Sequence, residues 1–284
     1  MFVSPDGHCS LATRVPQCMV MHDIGIIHFP GAFRKLHAAY YKWYVPKFLE
    51  KARVIATVSE FSKNDIVSRY GVKPEKLQVV FSAARPVFRP VSAEVCEKVK
   101  ETWTGGREYF IYVGAIQPRK NVTRLLKAFS LFKKRQKTEM KLVLAGRMAW
   151  KNDTFIERLK TYKYRDDVVL TGYLAEDELV RLTASAYALV YPSLFEGFGV
   201  PVLEGMQCDV PVLTSGGTSM QEIGDDAALY FDPSDPAAIA EQMMRIYKDE
   251  DLRARLVARG RVVSSRFTWD RTAQLVWESM MRGI

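Results

Sequence analysis

The chain has 284 residues, of which 48% are hydrophobic, 26% charged and 12% aromatic. This composition is typical of a globular protein with room for two domains, and it excludes a disordered, collagenous or coiled-coil chain. The net charge of +9 is uneven, because residues 1–100 carry +7, residues 101–165 carry +11 and residues 166–284 carry −9.

Short apolar runs alternate with amphipathic stretches along the first hundred residues. The predicted strands are at 19–22, 53–58 and 77–81. Helical patterns lie at 31–50 and 60–69, and Ser59 is placed to cap the second of them.

The rest of the chain continues the same alternation. Strands are predicted at 109–113, 141–145, 167–171, 187–191, 210–213 and 228–231. Helices are predicted at 121–135, 153–161, 175–184, 200–207 and 236–248, and the last 35 residues look helical with a break near Phe267-Thr268. Because the strand runs are almost continuously apolar and their connections are helical, the pattern favours parallel sheets covered on both faces.

We expect an α/β protein of two Rossmann-like, doubly wound units with a cleft between them. The segment 82–106 contains two prolines and no strong period, so the boundary is predicted there. The predicted domains are residues 1–100 and residues 107–265, and a C-terminal helix at 266–284 is expected to pack back toward the first domain.

Polar residues after the strand at 109–113 are the first candidates for a site, since ligands bind such sheets at the carboxyl ends of strands. Gly114 permits a sharp turn, and Arg119 and Lys120 come just before a helix expected to begin near Asn121. Two cations at a helix N-terminus can bind a diphosphate. Two ordinary surface charges are the alternative.

A second candidate follows the strand at 187–191. The loop contains Gly197 and Gly199, and Pro201 suits the first turn of the next helix. Glu196 in the loop and Glu204 in the helix could accept hydrogen bonds from different hydroxyls of one ligand. The alternative is a glycine turn with a glutamate favoured by the helix dipole, and the Glu-x7-Glu spacing alone is weak.

Several phrases together resemble the retaining glycosyltransferase family 4, which has the GT-B fold. They are VMHDIGIIHFP, ATVSEFSKNDI, YVGAIQPRKN, LVLAG, VVLTGYL, YPSLFEGFGVPVLEGM and PVLTSGGTSMQEIGDDAALYFDP. The resemblance covers nearly the whole chain. Asp209 stands where the family usually has glycine, and we expect it to adopt a left-handed conformation.

The resemblance implies roles for individual residues. Arg119 and Lys120 would hold the donor diphosphate, Glu196 the donor sugar hydroxyls and Glu204 the ribose. His22 matches the histidine near the transferred sugar, with a buried structural histidine as the alternative. The remaining donor contacts would come from Gly114, from Tyr173 and Leu174 beside the base, and from the backbone at Phe198, Gly199 and Val200.

The resemblance also implies a reaction that retains anomeric configuration and uses no metal or other cofactor. The sequence agrees in a limited way, because no Asp-x-Asp follows a strand and the pairs Asp166-Asp167 and Asp225-Asp226 look like turns. The resemblance implies that the donor is a nucleoside-diphosphate sugar. GDP-mannose is the first expectation and a UDP-glucose type the second, and the acceptor is an unknown glycan or lipid-linked hydroxyl of surface polysaccharide or glycoconjugate synthesis.

The first unit is expected to be incomplete, since the family's N-terminal domain starts with further βαβ units. The strand at 19–22 would then be an exposed apolar edge, and self-association or a partner subunit could complete the sheet. The alternative function is a catalytically incomplete fragment or subunit that binds a nucleotide-sugar.

The positive charge of the first half is compatible with three anionic partners, namely nucleic acid, a phosphorylated small molecule and an anionic membrane surface. The alternative is a chance imbalance of charge on a solvated surface. We do not expect nucleic acid, because RNA-binding aromatic motifs and a helix-turn-helix signal are missing. The expected location is the cytoplasm, with peripheral contact at the inner face of the membrane as a further option.

Overall fold

The computed structural model describes residues 1–148 and 153–283, and these form ten strands and twelve α-helices. The strands are β1 (Phe2–Ser4), β2 (Gln17–Met21), β3 (Val54–Thr57), β4 (Leu77–Val79), β5 (Tyr109–Val113), β6 (Lys141–Ala145), β7 (Val168–Gly172), β8 (Ala188–Tyr191), β9 (Val212–Ser215) and β10 (Ala228–Phe231). The helices are α1 (Gly25–His28), α2 (Lys35–Lys51), α3 (Glu60–Tyr70), α4 (Ala93–Thr104), α5 (Val122–Gln136), α6 (Asp153–Lys160), α7 (Glu176–Ala184), α8 (Val200–Gln207), α9 (Ser219–Gly224), α10 (Pro236–Lys248), α11 (Glu250–Ser264) and α12 (Trp269–Arg282).

These elements divide into two compact units, neither of which is one continuous stretch. Unit 1 contains Met1–Ala83, Phe195–Gly199 and Phe267–Ile284, and unit 2 contains Ala84–Leu194 and Val200–Arg266. Each unit has its own parallel sheet, so the predicted α/β class is confirmed.

Unit 1 has a four-stranded sheet in the order β1-β2-β3-β4, in which every neighbouring pair is parallel. The predicted exposed edge at 19–22 is wrong, because β1 pairs with β2 and sets Phe2 opposite Gln17 and Ser4 opposite Met19. Strand β1 was missed because it has only three residues and they are partly exposed. The edge of this sheet is therefore a short strand, while β2 is almost fully buried.

The helices of unit 1 begin and end where local chemistry favours it. The Ser59 hydroxyl accepts a hydrogen bond from the Ser62 N–H and starts α3, as predicted, and Gly71 in a left-handed conformation ends it. Thr268 caps α12 in the same way, at the predicted break. Helix α12 packs on β3, and side chains of α2 and α3 close the core around Ile55.

Unit 2 has a six-stranded parallel sheet in the order β10-β9-β8-β5-β6-β7. Its central strands are fully buried, as their continuous apolar runs predict. The sheet extends from β5 to β6 and β7 in one direction, and through β8 to β9 and β10 in the other. The order therefore reverses between β5 and β8, and ligands of such sheets bind at the carboxyl ends of the strands beside a reversal of this kind.

The first break between the units, at Ala83, lies within the predicted boundary segment 82–106 but before the predicted domain end at residue 100. Unit 1 ends its first segment at Ala83 rather than at residue 100, because α4 packs on α7 within unit 2. Helix α4 lies in the predicted linker, where Ser92 caps its start and Gly105 in a left-handed conformation ends it. The six-residue α9 was also missed. Among the described residues, no helix combines the length and apolar character needed to cross a membrane.

Candidate functional site

The loops after β5 and β6 in unit 2 pack backbone against backbone. Gly114 has a φ of +145° and Gly146 a φ of +151°, values that side-chain-bearing residues rarely adopt. A Cβ on Gly146 would lie 2.1 Å from the Gly114 carbonyl oxygen, and one on Gly114 would lie 3.0 Å from the Tyr112 hydroxyl. Gly146 is thus required for the close approach of the two loops, and Gly114 for the left-handed backbone that leads the chain toward Arg119.

Arg119 and Lys120 lie on a 3-10 turn, Pro118–Lys120, directly before α5. Both side chains are half-buried. The Lys120 ammonium donates to the Tyr191 hydroxyl over 2.6 Å, and Leu194 N donates to the Arg119 carbonyl over 2.9 Å. The two predicted cations therefore lie beside the end of β8, at the point where the strand order reverses.

Asn121 holds this region together and was not recognised as a site residue in the sequence. It is buried, with a φ of +64°. Its side-chain amide donates to the carbonyls of Pro192 (3.0 Å) and Pro233 (2.7 Å), and its side-chain oxygen accepts from Arg124. Asn121 therefore joins the loops after β5, β8 and β10, with partners 71 and 112 residues away in sequence.

Glu204 is buried in the middle of α8, where it forms an ion pair with an arginine. Arg85 Nε donates to Glu204 Oε1 over 2.8 Å, and Arg85 Nη1 donates to Glu176 Oε2 over 2.9 Å. The Arg85 guanidinium also lies over the Phe88 ring, at 4.6 Å from its centroid. One arginine thus bridges the start of α7 and the middle of α8.

The charge state of Glu204 depends on two opposed effects. Burial raises the pKa of the Glu204 carboxyl above its ordinary value, and the hydrogen bond and charge of Arg85 lower it. Glu176 raises it slightly further. Arg85 is therefore the group that favours the anionic form of Glu204, the form that accepts hydrogen bonds from hydroxyl groups.

Tyr173 and Leu174 follow β7 and precede α7. The Tyr173 ring is exposed and Leu174 is half-buried. Glu176 lies two residues after Leu174, and it shares the Arg85 guanidinium with Glu204. Arg85 therefore connects the loop that is predicted to contact the base with the carboxylate that is predicted to bind the ribose. Val200, another predicted contact, is the first residue of α8.

His22 lies at the carboxyl end of β2 in unit 1. Its ring is exposed, so the alternative of a buried structural histidine is wrong. His22 Nε2 is 3.1 Å from the Pro5 carbonyl oxygen. The residue lines a cavity of about 260 Å³ together with Asp6, Asp23, His37 and Tyr41.

The loop that contains Glu196 is packed onto the His22 loop within unit 1. A Cβ on Gly197 would lie 2.2 Å from the His22 carbonyl oxygen, so only glycine allows this contact. The Gly197 carbonyl accepts hydrogen bonds from the hydroxyls of Ser59 (2.6 Å) and Ser62 (3.1 Å). Glu196 is buried beside it.

The neighbours of Glu196 are anchored by aromatic contacts. The Phe195 ring lies 5.0 Å from the His28 ring and 5.6 Å from the Phe61 ring. The Phe198 ring meets Phe267 edge-on at 5.7 Å, and Gly199 has a φ of +97°. Unit 1 therefore brings together His22, Glu196, Phe198 and Gly199, and unit 2 brings together Gly114, Arg119, Lys120, Tyr173, Leu174, Val200 and Glu204.

Acidic residues elsewhere form ion pairs and turns. Within residues 1–148 and 153–283, no three His, Cys, Asp or Glu side chains gather as metal ligands would. Asp167 pairs with Lys133 and Lys141, and Asp225 and Asp226 begin a 3-10 turn. Asp209 has the expected left-handed φ of +59°, and it is held by a two-pronged pair with Arg261.

The chain matches two known protein families. A family described as "Glycosyl transferases group 1" matches residues 97–263, and one described as "Glycosyltransferase Family 4" matches residues 3–83. The chain belongs to the group 1 glycosyl transferases. The two matched segments correspond closely to unit 2 and to the first segment of unit 1.

Two O-antigen mannosyltransferases are similar to this chain over most of its length. An Escherichia coli protein named O-antigen chain mannosyltransferase B is 32% identical over 88% of this chain, and the chain spans 66% of its length. The Salmonella typhimurium O-antigen chain mannosyltransferase RfbU is 26% identical, with 92% of this chain and 68% of its own length covered.

A solved structure has the same fold. Anabaena HepE, crystallised with UDP and glucose, superposes with a TM-score of 0.80 over 95% of this chain and 72% of its own, at 17% identity. The fold is therefore GT-B-like, as predicted from the sequence phrases.

Proposed function

We propose that the protein is a retaining hexosyltransferase that moves a sugar from a nucleoside-diphosphate sugar to an acceptor hydroxyl. The bond between the anomeric carbon and the diphosphate oxygen breaks, and its electron pair leaves on the diphosphate. The acceptor oxygen forms the new bond to the anomeric carbon, so the products are the glycosylated acceptor, the nucleoside diphosphate and the released proton. Charge grows on the leaving diphosphate, so fixed cations beside it contribute most to the rate.

The observation that carries this proposal is the reversal of strand order in unit 2, with the candidate residues around it. Arg119 and Lys120 follow β5, and Glu204 lies in the helix after β8. In this proposal the cations bind the diphosphate, and the carboxylate accepts hydrogen bonds from ribose hydroxyls. The presence of Arg85 supports the second role, because it favours the anionic form of a buried carboxylate.

The remaining roles follow the family resemblance. Glu196 binds the donor sugar hydroxyls, with backbone groups from Phe198 to Val200 beside it, and His22 lies near the transferred sugar. Tyr173 and Leu174 contact the base, and Gly114 lets the backbone approach the ligand. No metal or other cofactor takes part.

GDP-mannose is the proposed donor, and a UDP-glucose type is the second choice. The names of the E. coli and Salmonella relatives support mannose and a role in surface polysaccharide synthesis. The proposed acceptor is a hydroxyl of a glycan or a lipid-linked glycan. The proposed location is the cytoplasm, at the inner face of the membrane.

A donor screen on the full chain tests the proposal. Binding is followed by thermal shift with GDP-mannose, GDP-glucose, UDP-glucose and UDP-N-acetylglucosamine, and turnover by release of the nucleoside diphosphate. We expect the largest shift and the fastest release with GDP-mannose, and loss of release in Arg119→Ala. Lys127→Ala on the exposed side of α5 is the matched control.

Three other results are informative. Preference for UDP-glucose replaces the donor assignment and keeps the reaction. Binding without release, even with glycan acceptors, supports the alternative of a catalytically incomplete nucleotide-sugar-binding subunit. Absence of both binding and release with every donor contradicts the proposal.

A further inference from the structure

The outer face of α2 in unit 1 is apolar and exposed. Leu36 is 85% exposed, Trp43 is 66% exposed, and Tyr40 lies between them with 39% of its surface exposed. At 3.6 residues per turn these three side chains fall within about 60° of one another around the helix. They point away from Val45, which is buried on the opposite side.

Cations surround this apolar stripe. Lys35 and Lys42 lie on one side of it and Lys51 on the other, and Lys47 continues the stripe by one turn. The Lys47 ammonium lies 4.6 Å from the centroid of the Trp43 ring. Glu50 is the one acidic residue in α2. The face therefore combines aromatic and aliphatic side chains with a strong excess of positive charge.

Helix α12, also in unit 1, provides a comparison. It exposes Trp277 (61%) and Met281, which are four residues apart. Its charged residues are Asp270, Arg271, Glu278 and Arg282, and their charges cancel. Exposed tryptophan is thus common to both helices, whereas the surrounding cations are particular to α2.

We propose that the outer face of α2 binds the surface of a bilayer that contains anionic phospholipid. Tryptophan and tyrosine favour the headgroup level of a bilayer, and leucine inserts below it. Lysines beside such a stripe are attracted to anionic headgroups, and their stems reach past the apolar side chains. This binding is a separate property of α2 and does not depend on the proposed sugar transfer.

The position of α2 gives the binding a consequence for the candidate site. His37 and Tyr41 from α2 line the cavity that also contains His22. A helix with its side chains is about 10 Å across, so a bilayer bound to the outer face lies close to this cavity. This consequence, unlike the binding itself, rests on the proposed function, and it favours an acceptor anchored in the membrane.

Cosedimentation of the full chain with vesicles tests the proposal. The vesicles contain phosphatidylcholine alone or with about 30% phosphatidylglycerol, at about 0.1 M and 0.5 M salt. We expect binding to the anionic vesicles only, and weaker binding at high salt. Leu36→Ser with Trp43→Ser should lower the partition coefficient by at least about tenfold, and Lys35→Gln with Lys42→Gln and Lys47→Gln by a similar factor. Trp277→Ser, an equally exposed site without the cations, should bind as the unchanged chain does.

Hydrogen exchange of the unchanged chain gives a second measurement that needs no variant. Anionic vesicles should slow exchange over residues 35–47 and leave α12 unaffected. The proposal is overturned if the α2 variants bind as well as the unchanged chain, or if protection appears elsewhere. It is also overturned if light scattering shows a dimer that Trp43→Ser dissociates, because a second copy would then cover this face.

Discussion

Replacing Arg85 with alanine should destabilise unit 2, because it leaves the Glu204 carboxylate buried without its cation. Glu204 is 3% exposed, and breaking a buried pair by removing one partner costs about 3–5 kcal/mol. The Arg85 side chain is 41% exposed, so water replaces part of the interaction. We therefore expect a loss of about 2 kcal/mol at pH 7, which corresponds to a fall in Tm of about 4–8 °C.

The loss should depend on pH in a defined direction. Folding raises the pKa of Glu204 above its ordinary value of 4.5, so the folded chain binds more protons than the unfolded chain in the window above that value. Stability from this group therefore falls as pH rises. Without Arg85 the pKa rises further, and the difference between variant and unchanged chain should grow from pH 4.5 toward pH 8.

Urea unfolding of the full chain between pH 4.5 and pH 8 measures this difference. Adding Glu204→Gln to Arg85→Ala should remove the pH-dependent part, since no buried carboxylate remains. Glu176→Gln is the matched control for the exposed branch of the same arginine, and it should cost less than about 1 kcal/mol. Parallel pH profiles for the unchanged chain and Arg85→Ala would refute the reasoning.

Three further predictions concern the rest of the site. Arg119→Ala and Lys120→Ala should each lower kcat for donor turnover by roughly 10²–10³, as the loss of a preorganised charge-stabilising group does, and near-normal turnover in both would reject the diphosphate assignment. Turnover should survive EDTA, whereas complete loss that Mg²⁺ or Mn²⁺ restores would contradict metal-free transfer. Gly197→Ala should destabilise unit 1 by about 1–3 kcal/mol in urea unfolding, because its Cβ would meet the His22 carbonyl oxygen. Gly31→Ala is the control and should be close to neutral, because there is open space around its Cβ. An equal loss of stability in both variants would disprove the packing argument.

The sequence allowed the sheets to be predicted where strands are buried and apolar. Strand β5 and its neighbours are short, continuous apolar runs, and such runs between helical stretches are typical of strands buried on both faces. Strand β1 has three partly exposed residues, so it has no such pattern and depends on pairing with β2. Helix α4 was not predicted, because two prolines before it and two glycines after it suggested a linker. Ser92 and Gly105 at its ends are nevertheless residues that favour the start and the end of a helix.

The residues that position the site are harder to predict, because their partners are distant in sequence. Arg85 and Glu204 are 119 residues apart, and Ser59 and Gly197 are 138 residues apart. Neither pair has a local pattern that connects its members. The face of α2 poses a different problem, since apolar residues occur on both of its sides and periodicity cannot decide which side the core covers.

The division of the chain has a practical consequence for exchanging parts between relatives. Unit 1 is assembled from three separate stretches, and one of them is the five-residue segment Phe195–Gly199. A hybrid made with a single crossover after Ala83 would join the first stretch of one parent to the Glu196 segment and terminal helix of another. The serines that hold Gly197 would then come from a different parent than Gly197 itself. Working hybrids should therefore need three matched exchanges, and substitutions around Ser59 and Ser62 should vary together with those at 195–199.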